Sequence, residues 1–431
     1  MTEGMRMDNV IVKKGLLLGA GFSYDFGMPL AIELTEVFLG LFTTKSTERF
    51  VDMLARNSPY GDDRPISRTA LKRGMDLLLS YKVEGGKNYE ELLSNIQSAA
   101  ADYKYPQTDK DTFHYLFGVF YSILYKILCD YQFEAHKSLY PKNLQWFGSF
   151  GALLSDEETW VYSLNHDLFV ECLAIDLNIP ITFGDKYNIS FPLSNLQMDN
   201  LINLTYSTRH DLKKFESDFF QGSYGINLLK LHGGLSELHY QDGSKLCNQT
   251  LQHKTSDLLL SDFSNILRMG YFHNGERVPS SRDRVITDLN GDLDIICQSM
   301  LTGGSKYSLT TNEKPGEEKL QVFSNTLRNL DELTIIGYGF GDKHVNNRLV
   351  NAMVLNDSLK LVIVDPIHKP VPELLEQFNY KDRIRTAQCG AAHWMEYMNT
   401  KKWNTAQIEE LKANAPIRTM IKENITRKIG G

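Results

Sequence analysis

Five short apolar runs punctuate the chain, and each ends on glycine or a small set of polar residues. Leu16-Leu17-Leu18 runs into Gly19-Ala20-Gly21-Phe22-Ser23, and Trp160-Val161-Tyr162 into Ser163-Leu164-Asn165-His166-Asp167. Leu228-Leu229-Lys230-Leu231 runs into His232-Gly233-Gly234, Leu333-Thr334-Ile335-Ile336 into Gly337-Tyr338-Gly339, and Leu361-Val362-Ile363-Val364 into Asp365. Continuous apolar runs of this length suit strands buried on both faces, as in a parallel sheet with helices on either side. Ligands of such sheets bind just beyond the carboxyl ends of the strands. Five polar endings therefore predict a single crevice.

Between the first two runs the period changes. Met28-Pro29 predicts the opening of a helix, since proline fits a first turn, and Leu30, Leu34, Val37, Phe38 and Leu41 continue at helical spacing. Helical signals follow over 52–54, 70–80, 89–101 and 113–131. After Asp167 a helix over 168–177 returns the chain to a strand-like stretch at 179–183. Residues 185–225 read as loop-like and mixed, and 238–332 is the least legible stretch. Its charged segment, 312–319, reads as an exposed loop leading into a helix before the fourth strand. No internal repeat or extended low-complexity tract is present. The pattern predicts a three-layer, Rossmann-like α/β fold with a mostly parallel sheet and a helical insertion subdomain. Residues 1–40 and 150–400 form the sheet domain, 41–149 the insertion and 401–431 a basic carboxy-terminal extension.

The 431 residues are 42% hydrophobic and 23% charged, which suits a globular chain of one to three domains. A net charge of -7 argues against a dedicated nucleic-acid binder. The extension carries a local basic surplus and reads as a solvated helix and tail, with a docking tail for a partner or for nucleic acid as the rival. The five cysteines, Cys129, Cys172, Cys247, Cys297 and Cys389, have neither the pairing nor the spacing of a disulfide framework or zinc ribbon. They read as reduced thiols in a cytoplasmic protein, and no metal is expected. The polar amino terminus lacks a signal-peptide core, and the most apolar stretch, 113–128, reads as a buried helix rather than a membrane span. His239 and His253 have no ligand spacing and read as surface or loop residues. The aromatics of 113–125 read as packing, and 88–93 as an amphipathic helix, with a wall of the crevice as the alternative.

Gly19-Ala20-Gly21 after a strand is a phosphate cradle by its physics: glycine permits a tight turn, and amides with a helix terminus supply partial positive charge. It is not the dinucleotide GxGxxG fingerprint, because Tyr24 stands where the third glycine would be. Gly19, Ala20, Gly21, Ser23, Gly27 and Pro29 together resemble the opening motif of sirtuin-like NAD-binding domains. Ser163, Asn165 and Asp167 are similar to that family's second signature, His232-Gly233 to its third, and Ile336-Gly337-Tyr338-Gly339 to its fourth. The continuation Phe340-Gly341-Asp342, with Asn346 beyond, resembles bacterial sirtuin-like defence proteins. Two departures matter. The paired cysteines of the deacylases' zinc module are absent, and Leu30-Ala31-Ile32 stands where deacylases continue with Asp-Phe-Arg.

The resemblance implies an NAD hydrolase of antiphage abortive infection that cleaves NAD to nicotinamide and ADP-ribose. It also implies gating by oligomerisation, with a HerA-type hexameric ATPase as the partner. A deacylase or ADP-ribosyltransferase is the enzymatic rival, and a module that senses NAD or ADP-ribose without cleaving it is the non-enzymatic one. On this reading Gly19, Ala20, Gly21, Phe22 and Ser23 hold the pyrophosphate, with Pro29 and Ser163 beside the nucleotide. Gly337, Tyr338 and Gly339 admit the second nucleotide half, and Asp365 accepts from the adenosine ribose. His232 is the base, since imidazole titrates near neutrality. Asn165 holds water or a ribose hydroxyl, and Asp167 orients the loop or polarises a neighbour. Each has a structural rival: a buried turn histidine for His232, helix caps for Asn165 and Asp167, a turn for Asp365-Pro366, and tight packing for Gly339 and Gly341.

Overall fold

The computed structural model describes residues 12–56, 65–279, 282–300, 316–367 and 369–430. Among the described residues fifteen strands run in chain order: β1 Lys14–Leu18, β2 Glu158–Ser163, β3 Ile181–Thr182, β4 Tyr187–Ser194, β5 Gln197–Thr208, β6 Gly225–Lys230, β7 Leu238–Tyr240 and β8 Lys245–Gln249, then β9 Phe272–His273, β10 Glu276–Arg277, β11 Asp283–Thr287, β12 Leu293–Gln298, β13 Glu332–Ile336, β14 Lys360–Val364 and β15 Ile384–Ala387. All five apolar runs are strands of one seven-stranded sheet, ordered β15-β14-β13-β1-β2-β6-β3. Every pairing in it is parallel. The fold is thus α/β and Rossmann-like, with β15 an additional edge strand.

Alternation within the strands decides which layer each residue joins. Leu16 and Leu18 face one core, with Val161, Leu228, Ile336 and Val364. Leu17 faces the other, with Tyr162, Leu229, Ile335 and Ile363. The helices Glu317–Leu327 and Lys343–Leu355 cover the second face. The first face is covered by Ala31–Gly40, by Phe169–Asp176, and by the helices between Thr44 and Phe147. The longest, Gln107–Ser138, is the one described helix long and apolar enough to cross a membrane, and over half of its most apolar window is buried within the protein. Phe113, Phe120 and Tyr121 lie inside the core, so its aromatics pack.

A second sheet stands where the sequence read as loop-like or illegible. Its six antiparallel strands are ordered β11-β12-β7-β8-β5-β4. They enclose a separate core of Phe191, Leu204, Leu238, Cys247, Ile286 and Ile296 under the helix Ser256–Arg268. The expectation of loops failed here because these strands alternate with exposed polar positions and carry short, irregular apolar patterns. The expected exposed loop over 312–319 lies partly outside the described residues. From Glu317 it is helix, and Glu318 and Lys319 are buried, each with a charged partner in Arg209 and Glu237.

His239, on β7, is interior, whereas His253 is a half-buried loop residue, as expected. Burial pushes His239 down to about 4, while the His253 Nε2 lies 2.7 Å from Asp262. Nor is the basic extension a solvated tail. The helix Ala415–Gly430 buries Ile421 and Ile425 against the core. Arg418 donates to the carbonyl oxygens of Tyr24 and Met28 and to Glu33, while Lys422 pairs with Glu36 and Lys428 with Asp130. The five cysteines are free thiols.

Candidate functional site

Strands β1, β2, β6 and β13 end at the same side of the sheet, and the order reverses between β1 and β13, the place where such sheets bind ligands. A cavity of about 490 Å³ opens there, within the range of small-molecule sites. Residues from all four strand ends line it, including Gly19, Asn165, His232 and Gly337. The insertion closes one wall with Asn88, Tyr89 and Glu90, and Met28, Leu34 and Leu128 add an apolar floor.

The first bank is made of main chain. Gly19 N donates to Ile336 O at 2.9 Å and Gly21 N to Gly337 O at 3.0 Å. A side-chain carbon on Gly21 would stand 2.7 Å from Gly337 Cα, and one on Gly19 2.5 Å from Gly337 O. Gly337 adopts φ 64, and a carbon added to it would meet Gly21 Cα at 2.5 Å. The glycines therefore let two turns touch each other. Since Phe22 N is held by Gly19 O, the amides of Gly19, Gly21 and Phe22 all face carbonyl oxygens, and this corrects the picture of them as a ready phosphate cradle. Gly339 and Gly341, by contrast, have open space where a side chain would be, which excludes tight packing as their reason.

Asn165 ties this bank to β2. Its Nδ2 donates to Gly19 O at 2.9 Å and to Ser23 Oγ at 3.1 Å, and Ser163 Oγ accepts from Asn165 N. Asp167 is buried, and its Oδ1 accepts from Phe169 N at the start of the following helix. Burial raises its pKa, against the lowering influence of Lys230.

The second bank depends on buried charge. Lys230, at the end of β6, lies 2.6 Å from Glu171 and donates to the carbonyl of Asp167. Burial raises Glu171, and Lys230 counters it. A buried charge is tolerated when so paired. Beyond Lys230 the chain turns through His232 and Gly233, whose φ is 72. His166 Nδ1 lies 3.1 Å from Gly233 O, Leu235 N donates to His166 O, and Tyr125 of the insertion donates to Leu235 O at 2.6 Å. Further on, burial pushes Glu237 up, but Lys319 and His239 bring it below the ordinary value. The His232 ring itself sits with Nε2 2.8 Å from Asp342 Oδ2.

Of the expected site residues, Gly19, Ala20, Pro29, Asn165, Asp167, His232, Gly337, Tyr338 and Gly339 line the cavity. Gly21, Ser23 and Ser163 are not among the residues that line it. Phe22 departs from expectation: its ring is buried against Phe26, Phe147 and Phe150. Asp365 lies in an adjoining cavity of about 410 Å³ that shares Tyr338 and Gly339 with the first. There its Oδ1 accepts from Ile367 N and its Oδ2 pairs with Lys369 at 2.7 Å. Asp342, His166 and His344 were not assigned to the site from the sequence. His166 and Asp342 stood within quoted motifs, and the nearness of Asp342 to His232 is set by tertiary folding alone. Among the described residues no group of three or more His, Cys, Asp or Glu is placed to hold a metal.

No family model matches the chain, and no curated protein matches it by sequence. Solved structures similar to it include Sir2Tm bound to a propionylated peptide, at TM-score 0.32 and 11% identity over 91% of this chain and 94% of that one. A sirtuin solved for the basis of substrate affinity aligns at TM-score 0.31 and 10% identity, over 93% and 99%. A structure addressing the mechanism and regulation of Sir2 enzymes aligns at TM-score 0.30 and 10% identity, over 93% and 94%.

Proposed function

We propose that the chain is an NAD glycohydrolase that releases nicotinamide and ADP-ribose. The observation that carries this reading is the convergence of His232, with its carboxylate neighbour, and the Gly19 and Gly337 turns on one cavity. The adjoining cavity at Asp365 gives an elongated ligand a second compartment. In the reaction the C1′–N1 bond breaks and its electron pair passes to the nicotinamide nitrogen. Water bonds to C1′, and the proton it loses passes to a base. The leaving group is cationic, so the transition state resembles an oxocarbenium ion and needs little acid assistance. Orientation and a base are what the site must supply. His232 is the base in this proposal. Asn165, with its amide nitrogen on Gly19 and Ser23, holds the Gly19–Ser23 turn against the end of β2.

The test follows nicotinamide and ADP-ribose release by wild type, His232→Ala and Asn165→Ala. His232→Ala lowers the rate about 100-fold or more. Wild-type turnover that survives both substitutions refutes the assignment. One observation favours a second reading, a module that binds NAD or ADP-ribose without cleaving it: the Asn165 amide nitrogen is already committed to the protein. Binding without turnover under every condition would select it. We also propose, from the resemblance alone, a cytoplasmic role in antiphage abortive infection, with homo-oligomerisation and a HerA-type hexameric ATPase as the gate. Copurification and NAD levels in infected cells test that role.

A further inference from the structure

The glycine bank continues past Ser23 into an irregular turn, and side chains from the other end of the protein fasten that turn. Its amides fold back on the chain just before them. Phe26 N and Met28 N donate to Ser23 O, and Gly27 N donates to Tyr24 O, with Gly27 at φ 108. Its carbonyl oxygens are taken by side chains instead. Arg418 donates to Tyr24 O through one terminal nitrogen and to Met28 O, at 3.3 Å, through the other. That second nitrogen also lies 3.0 Å from Glu33 Oε2, the oxygen that accepts from Leu30 N at 2.8 Å. The guanidinium carbon stands 3.5 Å from the centre of the Tyr24 ring. Asn143 Nδ2 donates to Asp25 O, and Asn143 Oδ1 accepts from Asn414 at 2.7 Å, so this second tie leads to the foot of the same carboxy-terminal helix. The helix is anchored independently, by buried Ile421 and Ile425 and by Lys428 at 2.7 Å from Asp130.

We infer that Arg418 is a positioning residue for the cavity wall made by Met28, Pro29, Ala31 and Leu34, which makes the carboxy-terminal helix part of the site's construction. Met28 and Pro29 line the cavity, whereas Arg418 is not among the lining residues and acts through the Met28 carbonyl and Glu33. A planar guanidinium donates in several fixed directions, so one side chain bonds two carbonyls and a carboxylate at once; the compact ammonium of lysine does not reproduce that fork. At 14% exposure the Arg418 side chain is largely shielded from the water that weakens a surface ion pair. Without it the turn keeps its short-range bonds to Ser23 and Tyr24, but Met28 and Pro29 lose their outer support. Local opening of the turn then competes with binding. The consequence for the ligand rests on the NAD reading; the fastening of the turn does not.

The experiment compares full-length Arg418→Ala with Lys428→Gln, a change on the same helix that cuts the pair with Asp130 and leaves the turn's ties alone. In the free protein, hydrogen exchange at the amides of Phe26, Gly27, Met28 and Leu30 is expected to quicken about 10-fold or more in Arg418→Ala and to stay at the wild-type rate in Lys428→Gln. In nicotinamide release, Arg418→Ala raises KM for NAD about 10-fold while kcat stays within about threefold, and Lys428→Gln changes neither. If Arg418→Ala does not fold, Arg418→Lys takes its place, with smaller shifts in the same directions. Exchange at the turn that is unaltered by the Arg418 variants, or altered equally by Lys428→Gln, overturns the inference and leaves Arg418 a stabiliser of helix docking. If wild type neither binds nor cleaves NAD, the NAD reading fails, and the exchange rates still decide the fastening.

Discussion

The two banks of the cavity are held in opposite ways. Around Gly19, Gly21 and Gly337, side chains are missing and backbone lies on backbone, with no space for a further carbon. Around His232, the loop hangs on side chains: Lys230 on Glu171, Lys319 on Glu237, Tyr125 on Leu235, and Asp342 on the imidazole. The first bank has one shape, set by sterics and indifferent to pH. The second keeps its shape only while its charges are matched, and it reaches into the helical insertion and the helix before β13.

The largest effect is expected from Lys230→Met. It strands Glu171, which is fully buried, and costs about 3–5 kcal/mol in urea unfolding. Adding Glu171→Leu should recover most of that loss; a double variant as unstable as the single one would show that Lys230 matters for shape rather than charge. Next comes Gly337→Ala, which forces alanine into a left-handed conformation and against Gly21. About 2–4 kcal/mol of destabilisation follows, measurable in the same way.

The third effect concerns pH. Burial pushes Asp185, behind the histidine bank, up to about 6 from 3.8, although Thr205 and Asn248 hydrogen bonds oppose the rise. A carboxyl raised in the folded state holds its proton more tightly there. Its contribution to stability is complete below 3.8 and is lost as pH rises through about 6. Asp185→Asn should flatten the fall in unfolding free energy across that window, read from urea titrations, by about 2–3 kcal/mol. An unchanged slope would assign the pH dependence elsewhere. The smallest effect is Gly339→Ala, two residues from Gly337 but facing open space. It changes stability by less than about 0.5 kcal/mol, while equilibrium dialysis against NAD reports weaker binding. Equal costs for the Gly337 and Gly339 variants would erase the contrast between packed and open glycines.

The central strands and the polar residues at their ends were determined by the sequence itself. A strand covered on both faces must be apolar throughout, so β1, β2, β6, β13 and β14 announce themselves locally, and the residues after them must lie at one side of a parallel sheet. The antiparallel sheet was hidden, because one-sided burial and pairing between strands as distant as β5 and β8 leave weak local patterns. The charged run at Glu317–Lys319 and the docked carboxy-terminal helix were misread for one reason. A charged side chain reads as exposed unless its partner is known, and the partners of Lys319, Arg418 and Lys428 lie 82, 385 and 298 residues away. Which atoms face the cavity was likewise settled only in three dimensions. Phe22 turned into the core, the Gly21 and Phe22 amides were taken by neighbouring carbonyls, and Asp342 came to rest against His232, because packing and hydrogen-bond pairing act between segments that the chain order keeps apart.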